Sequence, residues 1–234
     1  MRKKIVISTG AGISAESGMS TYRDAGGLWD NYPVMEVASD EGFARNPALI
    51  HQFYSNLRTK MSQSVMPNAA HRGLVELERD FDVHVITQNV DDLHERAGSS
   101  HVIHLHGELM KVRSMRHPER VYTLPCDQLT DKGLVTTVDT RDPYGDPVRP
   151  HIVFFGEAVP NMEPAARLAS QADVFVIIGT SLVVYPAAAL LQYVPHGVPV
   201  YYIDPRPAAV PAWVNVLACK ATEGVPRLIE MLRK

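Results

Sequence analysis

Thr9-Gly10-Ala11-Gly12-Ile13-Ser14-Ala15-Glu16-Ser17-Gly18 follows directly on the apolar run Ile5-Val6-Ile7, and this junction decides the reading of the fold. A buried strand that runs into a glycine-rich turn is the opening of a nucleotide-binding unit. Gly10 permits the tight turn, Gly12 lets the backbone approach a pyrophosphate, and Ala15 fills the third small-residue position. A helix that follows can then aim its free N–H groups at the phosphates. A glycine-rich turn without a ligand satisfies the same short pattern, so the rest of the chain has to decide between them.

Working outward, residues 5–7, 83–87, 102–105, 152–155, 174–178 and 200–203 are apolar runs of the kind that form buried parallel strands. Asn46-Pro47 sets a capping side chain before a proline at the first helical position and starts a helix toward Met61, while Pro67-Asn68 opens another through Leu74, Leu77 and Glu78. Further helices are expected over 163–170, 187–193 and 224–232. Strands alternating with helices predict an α/β fold, a Rossmann-like doubly wound parallel sheet that binds ligands at the C-terminal strand edge. Two insertions, about 20–67 and 109–150, interrupt the alternation and are expected to form a small second domain beside a large one made of 1–19, 68–108 and 151–234. The second insertion carries Pro118, Pro125, Pro143, Pro147 and Pro150 and is expected to be loop-rich.

The chain has 234 residues, 45% hydrophobic, and a net charge of -3, enough for one large core and without the clustered basic surface that nucleic acid requires. Met1-Arg2-Lys3-Lys4 is basic, but the apolar run after it stops at Ser8, too short for a signal or a membrane span, so a cytoplasmic location is expected. Cys126 and Cys219 are the only cysteines, which is no disulfide framework. Oligomeric state is not legible.

Polar groups gather where the strands end. Gln88-Asn89-Val90-Asp91 offers amides and a carboxylate that can bracket a ribose and a carboxamide, or equally a polar turn capping a helix. In His101-Val102-Ile103-His104-Leu105-His106 the alternation puts His104 and His106 on one strand face, yet no third ligand accompanies them, so metal is the weaker reading. His101 and His104 read as hydrogen-bonded core or surface residues. His106 stands apart from them, ahead of Gly107 at a strand end. Gly179-Thr180-Ser181 repeats the strand-to-small-polar-turn pattern. Asp204 ends a strand where a carboxylate can accept from ribose hydroxyls, with a plain Asp204-Pro205 turn as the competing explanation. Val153-Phe154-Phe155-Gly156-Glu157 is either a core strand or an edge to which a peptide adds. Met19 to Trp29, rich in glycine and aromatics, reads as a mobile loop over the ligand, with Arg23 as a fork of donors and Tyr22 and Trp29 walling off a ring.

Six of these blocks (Gly10 to Gly18, Thr21-Tyr22-Arg23, Gln88 to Asp91, His104-Leu105-His106-Gly107, Phe155-Gly156-Glu157 and Gly179-Thr180-Ser181), spread in order over most of the chain, together resemble the sirtuins, and among them the bacterial NAD-dependent protein deacylases. The resemblance implies NAD as cofactor and acyl-lysine proteins or peptides as partners. It places Gly10, Ala11, Gly12, Ile13, Ser14, Glu16, Tyr22, Arg23, Trp29 and Val90 around NAD, with Gln88 and Asn89 at the nicotinamide ribose and Asp91 with Ile13 at the carboxamide. Gly179, Thr180, Ser181, Asp204 and Ala221 fall toward the phosphates and adenosine, Asp204 standing where the family usually has Asn. His106 becomes the general base that takes a proton from a ribose hydroxyl, Asn89 orients ribose and water, and the acyl group passes to ADP-ribose as nicotinamide leaves. Val153, Phe154 and Phe155 clamp the peptide and its acyl-lysine. An ADP-ribosyltransferase or an NAD-sensing module on the same fold is the alternative.

Two departures stand out. Most sirtuins hold zinc with four cysteines in the second insertion; here Ser114 stands where the first would fall and Cys126 is alone, with His117 completing half a site at most, so no zinc is expected. The desuccinylating branch pairs a tyrosine with an arginine three residues later. After Tyr54 that position is Leu57 and the arginine is Arg58, either still within reach of an acyl carboxylate or on a solvated face. Tyr22 replaces the usual Phe, and Ala25, Gly26 and Gly27 leave room for longer acyl chains.

Overall fold

The computed structural model describes residues 2–19 and 32–234. Tyr22, Arg23, Trp29 and the small residues 25–27 lie outside the described residues. Strand β1 (Lys4–Thr9) ends in two short 3₁₀ turns, Ala11–Ile13 and Ala15–Ser17, rather than in the regular helix expected after a dinucleotide turn. Helices α1 (Val34–Val37), α2 (Asp40–Arg45), α3 (Pro47–Ser64) and α4 (Ala69–Leu77) follow. Both predicted caps form: the Asn46 carboxamide oxygen accepts from Leu49 N–H at 3.1 Å with Pro47 at the first helical position, and that of Asn68 accepts from Ala70 at 2.9 Å.

Strand β2 (Asp82–Thr87), helix α5 (Leu93–Ala97) and strand β3 (Val102–His104) lead into β4 (Gly107–Ser114), β5 (Val121–Thr123) and β6 (Val148–Ile152). Helix α6 (Met162–Ala169), β7 (Val174–Ile178), a 3₁₀ stretch Ala187–Tyr193, β8 (Val200–Ile203), β9 (Val214–Leu217) and α7 (Ala221–Leu232) complete the chain. Six strands form one parallel sheet in the order β3-β2-β1-β7-β8-β9. The order reverses between β1 and β7, the switch point where a doubly wound sheet opens a crevice.

Continuous apolar runs make sense in this setting because the inner strands β1 and β7 are covered on both faces. Ile5 and Ile7 of β1, with Val174, Val176 and Ile178 of β7, pack under α4 and α7 against Leu74, Val225 and Leu228. The intervening Val6, Phe175 and Ile177 face the other layer, against Ala165 and Ala169 of α6 and Leu190. Burying one such side chain contributes about 1.5–3 kcal/mol, so the alternate faces of these short strands carry much of the stability. Among the described residues no helix is long and apolar enough to cross a membrane.

The second insertion differs from expectation. Strands β5-β4-β6 form a three-stranded antiparallel sheet, and the run at 152–155 belongs mostly outside it: β6 ends at Ile152 and is antiparallel to β4. Phe155 instead pairs with the segment before α2, its N–H donating to Ala38 O at 2.8 Å and its carbonyl accepting from Asp40 N–H at 3.1 Å. Strand β4 escaped the sequence reading because its register slips between Gly107 and Val112, so the buried Leu109 and Val112 are three apart instead of two. Strand β9 is short, half exposed and preceded by prolines. The 187–193 stretch is 3₁₀ rather than α, and the last helix starts at Ala221, three residues early, with Pro226 inside it.

At the switch point Gly12 N–H donates to Gly179 O at 2.8 Å, and a Cβ on Gly12 would sit 2.6 Å from Gly179 Cα. Gly179 itself has φ +63. Gly12→Ala is therefore expected to lower stability by about 1–3 kcal/mol through overpacking against backbone that cannot rotate away, read as a shifted urea midpoint.

Candidate active site

The turns at the C-terminal strand ends enclose a cavity of about 520 Å³, within the range of small-molecule sites. Gly10, Ala11 and Gly12 line it after β1, Gln88, Asn89 and Val90 after β2, His106 after β3, Gly179, Thr180 and Ser181 after β7, and Asp204 after β8. Glu16 and Ala221 join this wall, and Tyr54, Val153, Phe154 and Phe155 close the side toward the small sheet. Ile13, Ser14 and Asp91 stand behind the wall. Arg58 does not reach the cavity. Sequence reasoning missed Arg206 and Lys220, both wall residues beside predicted ones.

Asn89 and Ser14 tie the first two turns together. Asn89 Nδ2 donates to Gly10 O at 3.2 Å and to Ser14 Oγ at 3.1 Å, and Ser14 Oγ in turn donates to Asp91 Oδ2 at 3.0 Å. With its nitrogen so engaged, Asn89 keeps Oδ1 as its open acceptor among the described residues. Asp91 Oδ1 accepts from Leu93 N–H at 3.2 Å, so the first residue of α5 and the site share one carboxylate. Burial pushes the Asp91 carboxyl up to about 6 despite these hydrogen bonds.

The two histidines of the β3 end play different electrostatic parts. His106 Nδ1–H donates to Gln88 O at 2.9 Å, which fixes the tautomer and leaves Nε2 with its lone pair. Burial lowers the His106 pKa against the opposing pull of that carbonyl, so the ring is neutral at pH 7. His104 donates from Nδ1 to Asn89 O at 3.0 Å and from Nε2 to Glu95 Oε1 at 2.8 Å. Burial pulls its pKa down, but the Glu95 carboxylate outweighs it and the net shift is upward. His104 is thus buried with both ring nitrogens hydrogen-bonded and its protonated form favoured.

At the far end of the cavity Glu16 reaches across to the start of α7, accepting from Thr222 Oγ at 2.7 Å and pairing with Lys220 Nζ at 3.6 Å. Asp204 Oδ1 accepts from Arg206 N–H at 2.8 Å. Gln88 Nε2 donates to Thr180 Oγ1 at 3.3 Å, joining the β2 and β7 turns.

On the opposite wall Tyr54 and Phe154 lie with ring centroids 6.1 Å apart. The Arg149 guanidinium sits 4.2 Å from the centre of the Phe154 ring and pairs with Glu157 at 2.6 Å. Glu157 also accepts from Phe154 N–H at 2.8 Å, and Val153 N–H donates to His106 O at 2.9 Å. The N–H groups of 153, 154 and 155 are thus all committed within the chain, which closes them to an added strand. Arg58 is corrected most sharply: it is neither solvated nor a ligand group. It is fully buried, Nε donating to Leu109 O at 2.9 Å and Nη1 to Leu134 O at 2.9 Å and Thr136 Oγ1 at 3.2 Å, and burial lowers its pKa to about 10.

A folded-state pKa raised from 3.8 to about 6 corresponds to about 3 kcal/mol favouring the protonated form of Asp91. The native state then binds the extra proton between those values, so this contribution is present below pH 3.8 and lost as pH rises through 6. Asp91→Asn is expected to match the parent's stability near pH 4 and to exceed it progressively up to pH 7. Urea unfolding at both pH values checks this; a constant gap would refute it.

Comparison with known proteins places the geometry. Residues 10–186 match the Sir2 family. An NAD-dependent protein deacylase of Bacteroides thetaiotaomicron is 53% identical over 232 residues, covering 98% of each chain. One from Helicobacter pylori is 47% identical over 235 residues, covering 98% of this chain and 99% of its own. A solved Sir2 homologue in complex with NAD superposes with a TM-score of 0.86 at 36% identity, covering 99% of this chain and 90% of that one. A family match over most of the chain and relatives of this similarity leave one conclusion: the chain belongs to the Sir2 family.

Proposed function

We propose that this chain is an NAD-dependent protein-lysine deacylase that acts on neutral acyl groups, acetyl-lysine first among them. The single observation that carries the activity is His106, neutral and with Nε2 free, in one cavity with Asn89 and the glycine turn. A dinucleotide fits the lining. From the end of β3 to the end of β8 is four strand steps, about 19 Å at ~4.8 Å each, the reach of an extended dinucleotide. When bound, NAD supplies an electrophilic glycosidic carbon and the ADP-ribose that accepts the acyl group, with loss of nicotinamide.

The chain's own residues then have these parts. His106 Nε2 accepts the proton of a ribose hydroxyl, the Gln88 carbonyl holding the ring in the tautomer that allows it. Asn89 Oδ1 orients a hydroxyl or the water that completes the exchange. Asp91, with Ile13 behind the wall, holds a carboxamide once the ligand opens that layer. Thr180, Ser181 and Asp204 serve the phosphates and the adenosine ribose, and Phe154, Phe155 and Val153 the acyl-lysine. Supporting the substrate class, a Sir2 structure with a deacetylated p53 peptide and 3′-O-acetyl ADP-ribose has a TM-score of 0.81 to this chain at 30% identity.

The floor of the acyl site supports the neutral preference. The position three residues after Tyr54 is Leu57, buried in the core, and Arg58 directs Nε and Nη1 to the carbonyls of Leu109 and Leu134. We also propose that the second insertion folds without zinc. Four ligands are required, and the residues present do not fit: Ser114 Oγ accepts from His117 N–H at 3.1 Å, and Asp146 pairs with Arg116 at 3.2 Å and Arg120 at 3.3 Å. A separate apolar cluster of Val112, Leu124, Leu129 and Val148 supports the second insertion as a unit of its own, while the cluster around Tyr54 joins the first insertion to Leu93, Ile152 and Phe154.

Turnover of acetyl-lysine peptide with NAD should exceed that of succinyl-lysine by at least about tenfold, since an unpaired carboxylate in the tunnel costs more than ~1.4 kcal/mol. Arg58→Ala should lower stability without selectively removing succinyl turnover; a selective loss would overturn the assignment. His106→Ala should slow deacylation about 10²–10⁴-fold while ADP-ribose still binds. ADP-ribosylated protein in place of acyl-ADP-ribose would identify a transferase, and NAD binding without nicotinamide release a sensor.

A further inference from the structure

We propose that Asn68, at the start of α4 and outside the cavity wall, is a positioning residue that holds the dinucleotide-binding turn in register. The proposal rests on the NAD site argued above. Asn68 Nδ2 donates to Ile13 O at 2.7 Å and to Ser17 Oγ at 3.0 Å. Those two partners bracket Ala15 and Glu16, which line the cavity. The other end of the same amide caps α4: Oδ1 accepts from Ala70 N–H at 2.9 Å and His71 N–H at 3.4 Å, and Asn68 N–H donates to His71 Nδ1 at 3.3 Å.

This division of labour forces the orientation of the amide. Two helix-start N–H groups need an acceptor, so the oxygen faces α4 and the nitrogen faces the turn. Helix α4 is itself immobilised, with Ala70, Leu74 and Leu77 fully buried in the cluster that contains Ile5, Ile7 and Ile13. On the opposite flank Asn89 Nδ2 holds Gly10 O and Ser14 Oγ. The turn from 10 to 17 is therefore pinned between two amide donors, one from the β2 end and one from α4. A 3₁₀ turn has poorer internal hydrogen bonding than an α-helix, so outside donors fix the wall that Ala15 and Glu16 present.

Asn68→Ser and Asn68→Ala separate positioning from capping. Serine caps a helix about as well as asparagine but is too short to reach Ile13 O; alanine does neither. Calorimetric titration of ADP-ribose should show both variants weakened about tenfold, while Asn68→Ala, which loses the cap as well as the turn contact, melts lower than Asn68→Ser. In turnover, KM for NAD should rise by a similar factor, with kcat and the KM for acyl peptide little changed. Parent-like affinity in Asn68→Ser, or affinity losses that follow the melting losses, would overturn the proposal. Failure of the parent chain to bind ADP-ribose would overturn the nucleotide site itself and this assignment with it.

Discussion

Two turns touching backbone to backbone are the constraint on which the site depends. Gly12 lies against Gly179 with no room for a side chain on either, and Gly10 is equally close, its absent Cβ 2.8 Å from Gly179 O. This contact brings the ends of β1 and β7 together at the point where the strand order reverses, and the cavity opens from it. Glycine is demanded here first by the neighbouring turn and only then by any phosphate. Because the packing is main chain on main chain, no rotamer change can relieve an intrusion, and the two turns form one rigid piece.

On that piece the chemistry is set by desolvation and a few hydrogen bonds. Burial favours the uncharged form of His106, while at the neighbouring His104, two residues away on the same strand end, the Glu95 carboxylate shifts the balance toward the protonated form. Asp91 sits in the wall's second layer with a carboxyl that burial disfavours. A residue that costs stability where it stands, and is held by Ser14 and Leu93 all the same, is the pattern expected of a group retained for the ligand.

Much of this was legible beforehand. The five parallel strands β1, β2, β3, β7 and β8 were readable because strands buried on both faces are simply apolar runs, and the helix starts at Asn46 and Asn68 because a cap is a local chemical signature. The strand-end polar groups converge as their positions suggested. Three things were not readable. A register slip hid β4 by breaking its alternation. The run at 152–155 looked like a core strand because apolarity does not report direction, and its partner, the segment at 38–40, comes from a distant part of the chain. Arg58 looked solvated or substrate-facing because a buried arginine bonded to distant carbonyls leaves no trace in its own neighbourhood; its acceptors, Leu109 and Leu134, are 51 and 76 residues away.

Arg58 also says something about how this scaffold could diversify. A guanidinium whose Nε and Nη1 meet the carbonyls of Leu109 and Leu134 acts as a rivet between α3 and the second insertion, and withdrawing it to meet a ligand would strip both carbonyls of their partner at once. Recognition of acidic acyl groups on this frame would therefore have to be grafted as a new cation at the Leu57 position, leaving the rivet in place, so that structural integrity and ligand choice are inherited through adjacent but separable residues.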